Sequence, residues 1–399
     1  MMEIAQPRPS GTANRPPASL PPSALPPQRH WIRDLGALDW LYAVALVVGA
    51  VFALREYGGF MDVYDKGILA LQVPLLAAIG WHWKAFRPYL VAVAVLSLVS
   101  ITLYQGDLAR AEQTFMLKYL ISSQTAIMWM SALIFIATGA YWIGLLARSE
   151  FGERTGSALT WIAVVMGTTG LFVRWYESYL VGADVGHIPI SNLYEVFVLF
   201  SLMTALLYLY YEQRYATRRL GAFVLLVISA AVGFLLWYTF TRDAHQIQPL
   251  IPALQSYWMK VHVPTNFIGY GAFALSAMVG SAYLLAERGI LASRLPPLRV
   301  LEDLMYKSIA IGFAFFTIAT ILGALWAAEA WGTYWQWDPK ETWALIVWLN
   351  YATWLHMRLT KGLRGALLAW WAVVGLIVTS FAFIGVNMFL SGLHSYGAL

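Results

Sequence analysis

Four tryptophans, an aspartate and a proline fall within thirteen residues, WGTYWQWDPKETW at 331–343. From Trp326 to Trp354 there are seven tryptophans in 29 residues. An aromatic belt at a membrane interface accounts for one or two per helix end. A cluster this dense makes a flat apolar platform edged by indole N–H donors, which suits a large planar ligand with polar substituents. His187, His245, His262 and His394 fall near the ends of apolar segments on the same side of the chain's pattern. A lone loop histidine is ordinarily just solvated. Two imidazoles level with an aromatic platform, His262 and His394, raise the odds of a bis-histidine iron site, with Trp331, Trp335 and Trp337 against the macrocycle. There is no cysteine, so thiol exchange and a covalently attached haem of the chain's own are excluded. Tight metal ligation falls to the histidines.

Asp338, Pro339 and Glu341 have the spacing of a helix start: N-cap, N1 and N3 of a capping box. The tryptophans just before it therefore stand at a rim. The first amides of that helix, with Lys340 beside them, suit an anionic substituent such as a propionate. His356 lies 15 residues past Glu341, about 22 Å down the helix. Glu341, Leu345, Trp348, Ala352 and His356 form one loose stripe. An ionisable group that deep in a membrane is a functional candidate, with snorkelling beside Arg358 as its plain alternative. HIPISNLYE at 187–195 also has capping-box spacing, Asn192 to Glu195, and reads as structural. His82, between Trp81 and Trp83, reads as an interfacial anchor, and His30 carries no argument.

These residues must be held by a membrane bundle. The 399-residue chain is 60% hydrophobic and 12% charged, where soluble domains carry about 25% charge. Apolar blocks near 20 residues, the length that crosses a bilayer, recur throughout. Eleven spans are expected, at about 38–54, 67–83, 89–104, 123–147, 156–173, 190–211, 220–240, 263–286, 305–326, 342–357 and 365–390. The second and third have a tight hairpin as an alternative. With the N-terminus cytoplasmic, alternation puts 18 of the 26 Lys/Arg inside, as the positive-inside rule requires. The C-terminus and the tryptophan loop then face outward. The net charge of +5 comes from loop arginines and lysines and points first to orientation, and nucleic acid is not an expected partner. Residues 1–33, with PPASLPPSALPPQ at 16–28, read as a disordered cytoplasmic tail without a signal-peptide pattern.

The tryptophan stretch resembles the "WWD" signature of haem-handling membrane proteins. DPKETW, followed by a span closing WLNYATWLHMR, is similar to the CcsA/ResC family of system II cytochrome c biogenesis. HIPISNLYE resembles that family's H-x-P-L-S-N-L-Y-E segment, with Ile190 in place of leucine. MFLSGLHSYG at 388–397 resembles its C-terminal signature. The resemblance covers roughly residues 120–399. It divides the chain into the tail (1–33), a three-helix membrane extension (34–120) and a cytochrome c assembly core (121–399), and no family site is carried into the extension.

The resemblance implies an all-α polytopic protein of the bacterial inner membrane, with the WWD loop on the periplasmic face. It implies that His262 and His394 bind haem b at that face and that His356 contributes to a second haem site within the membrane. The fellow ligand of His356 would come from a ResB (CcsB-type) partner. The expected task is to move haem outward and present it, reduced, to the CxxCH thiols of apocytochrome c. Thiol-reducing proteins would act indirectly, and no side chain here is expected to be catalytic. The chain would thus be part of a holocytochrome c synthase (haem lyase) complex. A system I haem lyase component is the near alternative. A WWD-type membrane glycosyltransferase fits less well, because WQWDPK has no glycine after the motif and the chain lacks a large outer domain. A secondary transporter would show internal repeats, and none is found. A purely structural subunit would not need His356.

Overall fold

The computed structural model describes residues 35–59 and 61–392. The tail at 1–33 and His394 lie outside the described residues. Helices α1 (Ala37–Tyr57), α2 (Val63–His82) and α3 (Phe86–Tyr104) are followed by α4 (Ser123–Ala147), α5 (Glu150–Val181) and α6 (Leu193–Arg214). Next come α7 (Gly221–Arg242), α8 (Tyr257–Glu287), α9 (Leu298–Trp331) and α10 (Pro339–Thr360). The last, α11 (Ala366–Phe389), contains a π-helical turn at Phe381–Gly385. Each expected span has its helix, so the chain is an all-α polytopic membrane protein. Among the described residues ten helices are long and apolar enough to cross a bilayer. The exception is α10, which is 22 residues long but carries Lys340, Glu341, Asn350, His356 and Arg358.

Polar caps set many of the helix starts. Asp62, Ser149, Asn192, Ser256 and Asp338 each accept a first-turn amide with the side chain, satisfying donors that the helix leaves over. Several helices outrun the apolar windows read from sequence. The window at 156–173 becomes 150–181, and that at 305–326 becomes 298–331. Charges stopped the windows, but in α5 two of them, Arg174 and Glu177, are buried and partnered. Glu177 accepts the Ser123 amide at 2.9 Å and the hydroxyls of Tyr104 and Ser123. The second and third spans are two full helices, α2 and α3.

Contacts between helix ends sort the loops onto two rims. On one, Lys260 pairs with Asp65, Trp258 donates to Glu329 (2.8 Å) and Lys340 donates to Asn387 (2.8 Å). On the other, Trp83 donates to Gln213 (2.8 Å), Arg148 to Ser293 (2.9 Å) and the Gly365 amide to Glu302 (2.9 Å). This is the grouping that alternating spans require.

Arg174 is the hub of the first rim. Its side chain and that of Glu195 are 3% and 1% exposed and 2.8 Å apart. It also donates to the carbonyls of His245 (2.6 Å) and Gln246 (3.4 Å) and lies over the Tyr194 ring. Glu195 accepts the amide and hydroxyl of Ser191 as well. One guanidinium therefore ties α5, α6 and the α7–α8 connection together. Arg174→Met leaves the buried Glu195 carboxylate without its cation and two carbonyls without their donor, and should cost about 3–5 kcal/mol. Arg174→Lys should recover little, because an ammonium cannot span that fork of acceptors. The measurement is the unfolding midpoint in detergent together with protease cleavage within 243–256; wild-type values for Arg174→Met would refute the hub.

Candidate functional site

Helices α8 and α9 have 31 and 34 residues, about 46 and 51 Å of rise. A bilayer core needs about 30 Å, so this antiparallel pair overhangs it. His262, in the second turn of α8, packs against Ala319, Gly323 and Trp326 of α9, below Trp331, the last residue of that helix. There α9 ends on Gly332 in the left-handed region (φ +78°), whose amide returns to the Ala328 carbonyl at 3.0 Å. A side chain at Gly332 would be strained. The connection then runs to the N-cap of α10. Trp337 holds φ +59°, a conformation costing a non-glycine residue about 1–2 kcal/mol.

The expected cap is present. The Asp338 carboxylate accepts the Lys340 amide (3.0 Å) and the N3 amide. Glu341 returns an oxygen to the amides of Asp338 (3.2 Å) and Gln336 (2.8 Å). One expectation fails as a result. The first-turn amides of α10 do not wait for an anionic substituent, because Asp338 has taken them. Gly392 packs on the same carboxylate, and a Cβ there would stand 2.2 Å from Asp338 Oδ1.

Between the overhang and this cap lies an open cleft, about 840 Å³ of empty space with the solvent at its mouth included. His262, Asn266 and Tyr270 of α8 line one wall. Gly323 and Trp331 of α9, Trp335 of the connection, and Lys340 and Glu341 of α10 line the rest. Its lining is largely apolar and aromatic, with few polar groups, as ligand sites commonly are.

The imidazole of His262 is oriented. Nδ1 is 2.8 Å from the Ala319 carbonyl. A carbonyl only accepts, so Nδ1 carries the proton and Nε2 the lone pair. That is the arrangement of a ligating histidine held by a backbone partner. Trp326 meets the ring edge-on at 5.7 Å and spends its own N–H on the Ala253 carbonyl. Gly323 makes room for the ring, since a Cβ at that position would stand 2.9 Å from the imidazole Cε1.

Lys340 turns away from the cap and into α11. Its ammonium donates to Asn387 Oδ1 (2.8 Å) and the Phe383 carbonyl (3.1 Å). Phe383 lies in the π-helical turn, where the widened ladder loosens backbone carbonyls for other donors.

The remaining sequence candidates are scattered. Trp337 is 67% exposed, lies outside the cleft lining and meets Trp335 edge-on at 5.8 Å. His356 is exposed on α10, away from the cleft. His187 is buried, with Nδ1 on the Val185 carbonyl (2.6 Å) and Nε2 on the Ser191 hydroxyl (3.1 Å). Both of its nitrogens are thus engaged within the fold. His245 meets Arg174 through its carbonyl, and its buried Nδ1 has no hydrogen-bond partner among the described residues. Sequence reasoning missed Gly323, although a glycine inside an apolar helix marks a close approach. It also missed a brace from the first helices. Asp65 of α2 pairs with Lys260, and Tyr64 stacks on Tyr257 at 3.7 Å, one turn or so before His262. Nothing local in the sequence signals a contact 195 residues long.

Comparison with known proteins agrees with this architecture. The sequence model of the cytochrome c assembly protein family matches residues 190–394. The cytochrome c biogenesis protein CcsA of Chlorella vulgaris is 35% identical over 304 residues, covering 67% of this chain and 94% of that one. CcsA of Parasynechococcus marenigrum is 35% identical over 274 residues, covering 61% and 87%. Among solved structures, the cytochrome c heme lyase CcmF superposes with a TM-score of 0.53 at 17% identity. That likeness covers 68% of this chain, which spans only 49% of CcmF, and it concerns the fold alone. The chain belongs to the cytochrome c assembly protein family, among the CcsA proteins of cytochrome c biogenesis.

Proposed function

We propose that this chain is the haem-handling membrane component of a system II cytochrome c synthase. It brings haem b to the outer face and presents it, reduced, to the CxxCH thiols of apocytochrome c, together with a ResB (CcsB-type) partner. The observation that carries the reading is the His262 imidazole, oriented through Nδ1 on the Ala319 carbonyl, in a cleft walled by Trp331 and Trp335. The residues present fit the cargo: an oriented nitrogen donor, aromatic surface and one cation. His394 is the second axial ligand in this proposal. Gly392, two residues before it, packs on Asp338, and two residues reach about 7 Å. Bound haem supplies the vinyl groups to which the thiols add, and the protein supplies orientation and ligands.

The cleft rim faces the periplasm of the inner membrane, an orientation supported by the gathering of Lys/Arg on the opposite rim. Residues 121–399 form the assembly core, 34–120 the extension and 1–33 the cytoplasmic tail. His356 serves a second, deeper haem site. It lies on a continuous helix from the cap, about 22 Å below Glu341, and outside the cleft that His262 lines. Its exposure on this chain suits a fellow histidine from ResB. Trp337, exposed and in a costly backbone conformation, is offered outward to the haem edge or the arriving apocytochrome.

Three outcomes test this. His262→Gly should lower haem content of the purified complex, and added imidazole should restore it; an unchanged spectrum and full cytochrome c assembly would sink the ligand role. Asp338→Ala should cost about 0.5–2 kcal/mol locally as a lost cap, while Asp338→Asn, which can still cap, should be mild. Severe loss of assembly in Asp338→Asn at normal protein level would mean that the charge itself acts. His356→Ala should deplete haem at both sites, whereas His394→Gly should leave the inner site loaded. A full outer haem in His356→Ala, drawn from the cytoplasmic supply, would end the inward-to-outward relay.

A further inference from the structure

The cleft contains a cation with no carboxylate in contact with it among the described residues. Lys340 reaches the cleft wall with its ammonium part-buried between α10 and α11. An ammonium has three N–H donors. Two go to neutral acceptors, Asn387 Oδ1 at 2.8 Å and the Phe383 carbonyl at 3.1 Å. Among the described residues no carboxylate stands within 4.0 Å of Nζ. The two nearest in sequence, Asp338 and Glu341, spend their oxygens on the amides of the helix start. The Phe383 ring lies 5.9 Å from the nitrogen and closes the apolar side. Burying a charge is costly unless an opposite charge compensates it. The fold nevertheless builds for it, placing a π-helical turn and an asparagine on α11 to hold the ammonium.

We propose that Lys340 is the counter-ion for a carboxylate of the cleft's ligand, so that the cleft selects a planar tetrapyrrole bearing at least one free acid side chain. This rests on the haem reading above and adds how the cargo is oriented. The cap of α10 contributes no donors, so recognition of the acid falls to one side chain 78 residues from His262 in sequence. Two anchors, the imidazole on the metal and the ammonium on the acid, allow one in-plane orientation of a macrocycle. The opposite edge, which carries no acid, is left for the arriving thiols. Asn387 and the Phe383 carbonyl act as positioning groups: they hold the ammonium and carry no charge to compete with the ligand's own.

The test compares two probes on the purified, haem-depleted full-length protein in detergent: iron protoporphyrin IX, and its dimethyl ester, in which both acids are blocked. Absorbance titration gives the two dissociation constants without any catalytic readout. The wild-type protein should bind the free acid about ten- to hundredfold more tightly, the range of one hydrogen bond to a charged group. Lys340→Gln should bind both probes alike, and Lys340→Arg should keep part of the preference. Equal wild-type affinity for acid and ester overturns the counter-ion and leaves the haem reading standing. A full preference retained in Lys340→Gln also overturns it. Binding of neither probe by the wild type overturns the haem reading and this inference together. The wild-type comparison requires no variant to fold.

Discussion

The reciprocal cap between Asp338 and Glu341 is the constraint on which the site depends. It fixes where α10 begins, and with Gly332 it bounds the connection that carries Trp335 and Trp337. Because Asp338 occupies the first-turn amides, it sets the direction in which Lys340 leaves the helix. The same carboxylate receives Gly392, bringing the end of α11 against the start of α10. A conventional helix signal thus organises three parts of the chain. The strained backbone at Trp337 is local to this arrangement, held between a glycine stop and a capped start.

A second constraint is length. An α-helical pair longer than the bilayer must end in an overhang, and here the overhang of α8 and α9 forms two walls of the cleft. His262 needs that packing on both sides. The Ala319 carbonyl orients its ring, and the missing side chain of Gly323 leaves room for it. The N-terminal helices reach the same turn through Asp65 and Tyr64, so the extension touches the mount of the imidazole without lining the cleft.

Much of this was legible in the sequence because it is periodic or local. Apolar blocks announced the helices, and Asp338, Pro339 and Glu341 announced the cap within four residues. The rest was hidden by distance or by pairing. Arg174 and Glu177 looked like the end of a span, yet each is buried and satisfied by residues elsewhere in the chain. His187 shares the side of the chain on which His262 falls, but Val185 and Ser191 occupy its ring. Lys340 was read as a charge beside open amides. Its true partners, Asn387 and Phe383, lie more than 40 residues on and depend on a π-helical turn that no sequence rule marks.

The central claim is that the tryptophan-walled cleft holds haem with His262 on the iron. The most direct measurement is an electron cryomicroscopy map of the complex with its partner, purified with its natural chromophore. The account predicts a planar density between Trp331, Trp335 and the cap of α10, with its central metal joined to His262 Nε2. An empty cleft in a preparation that carries stoichiometric haem elsewhere would contradict it.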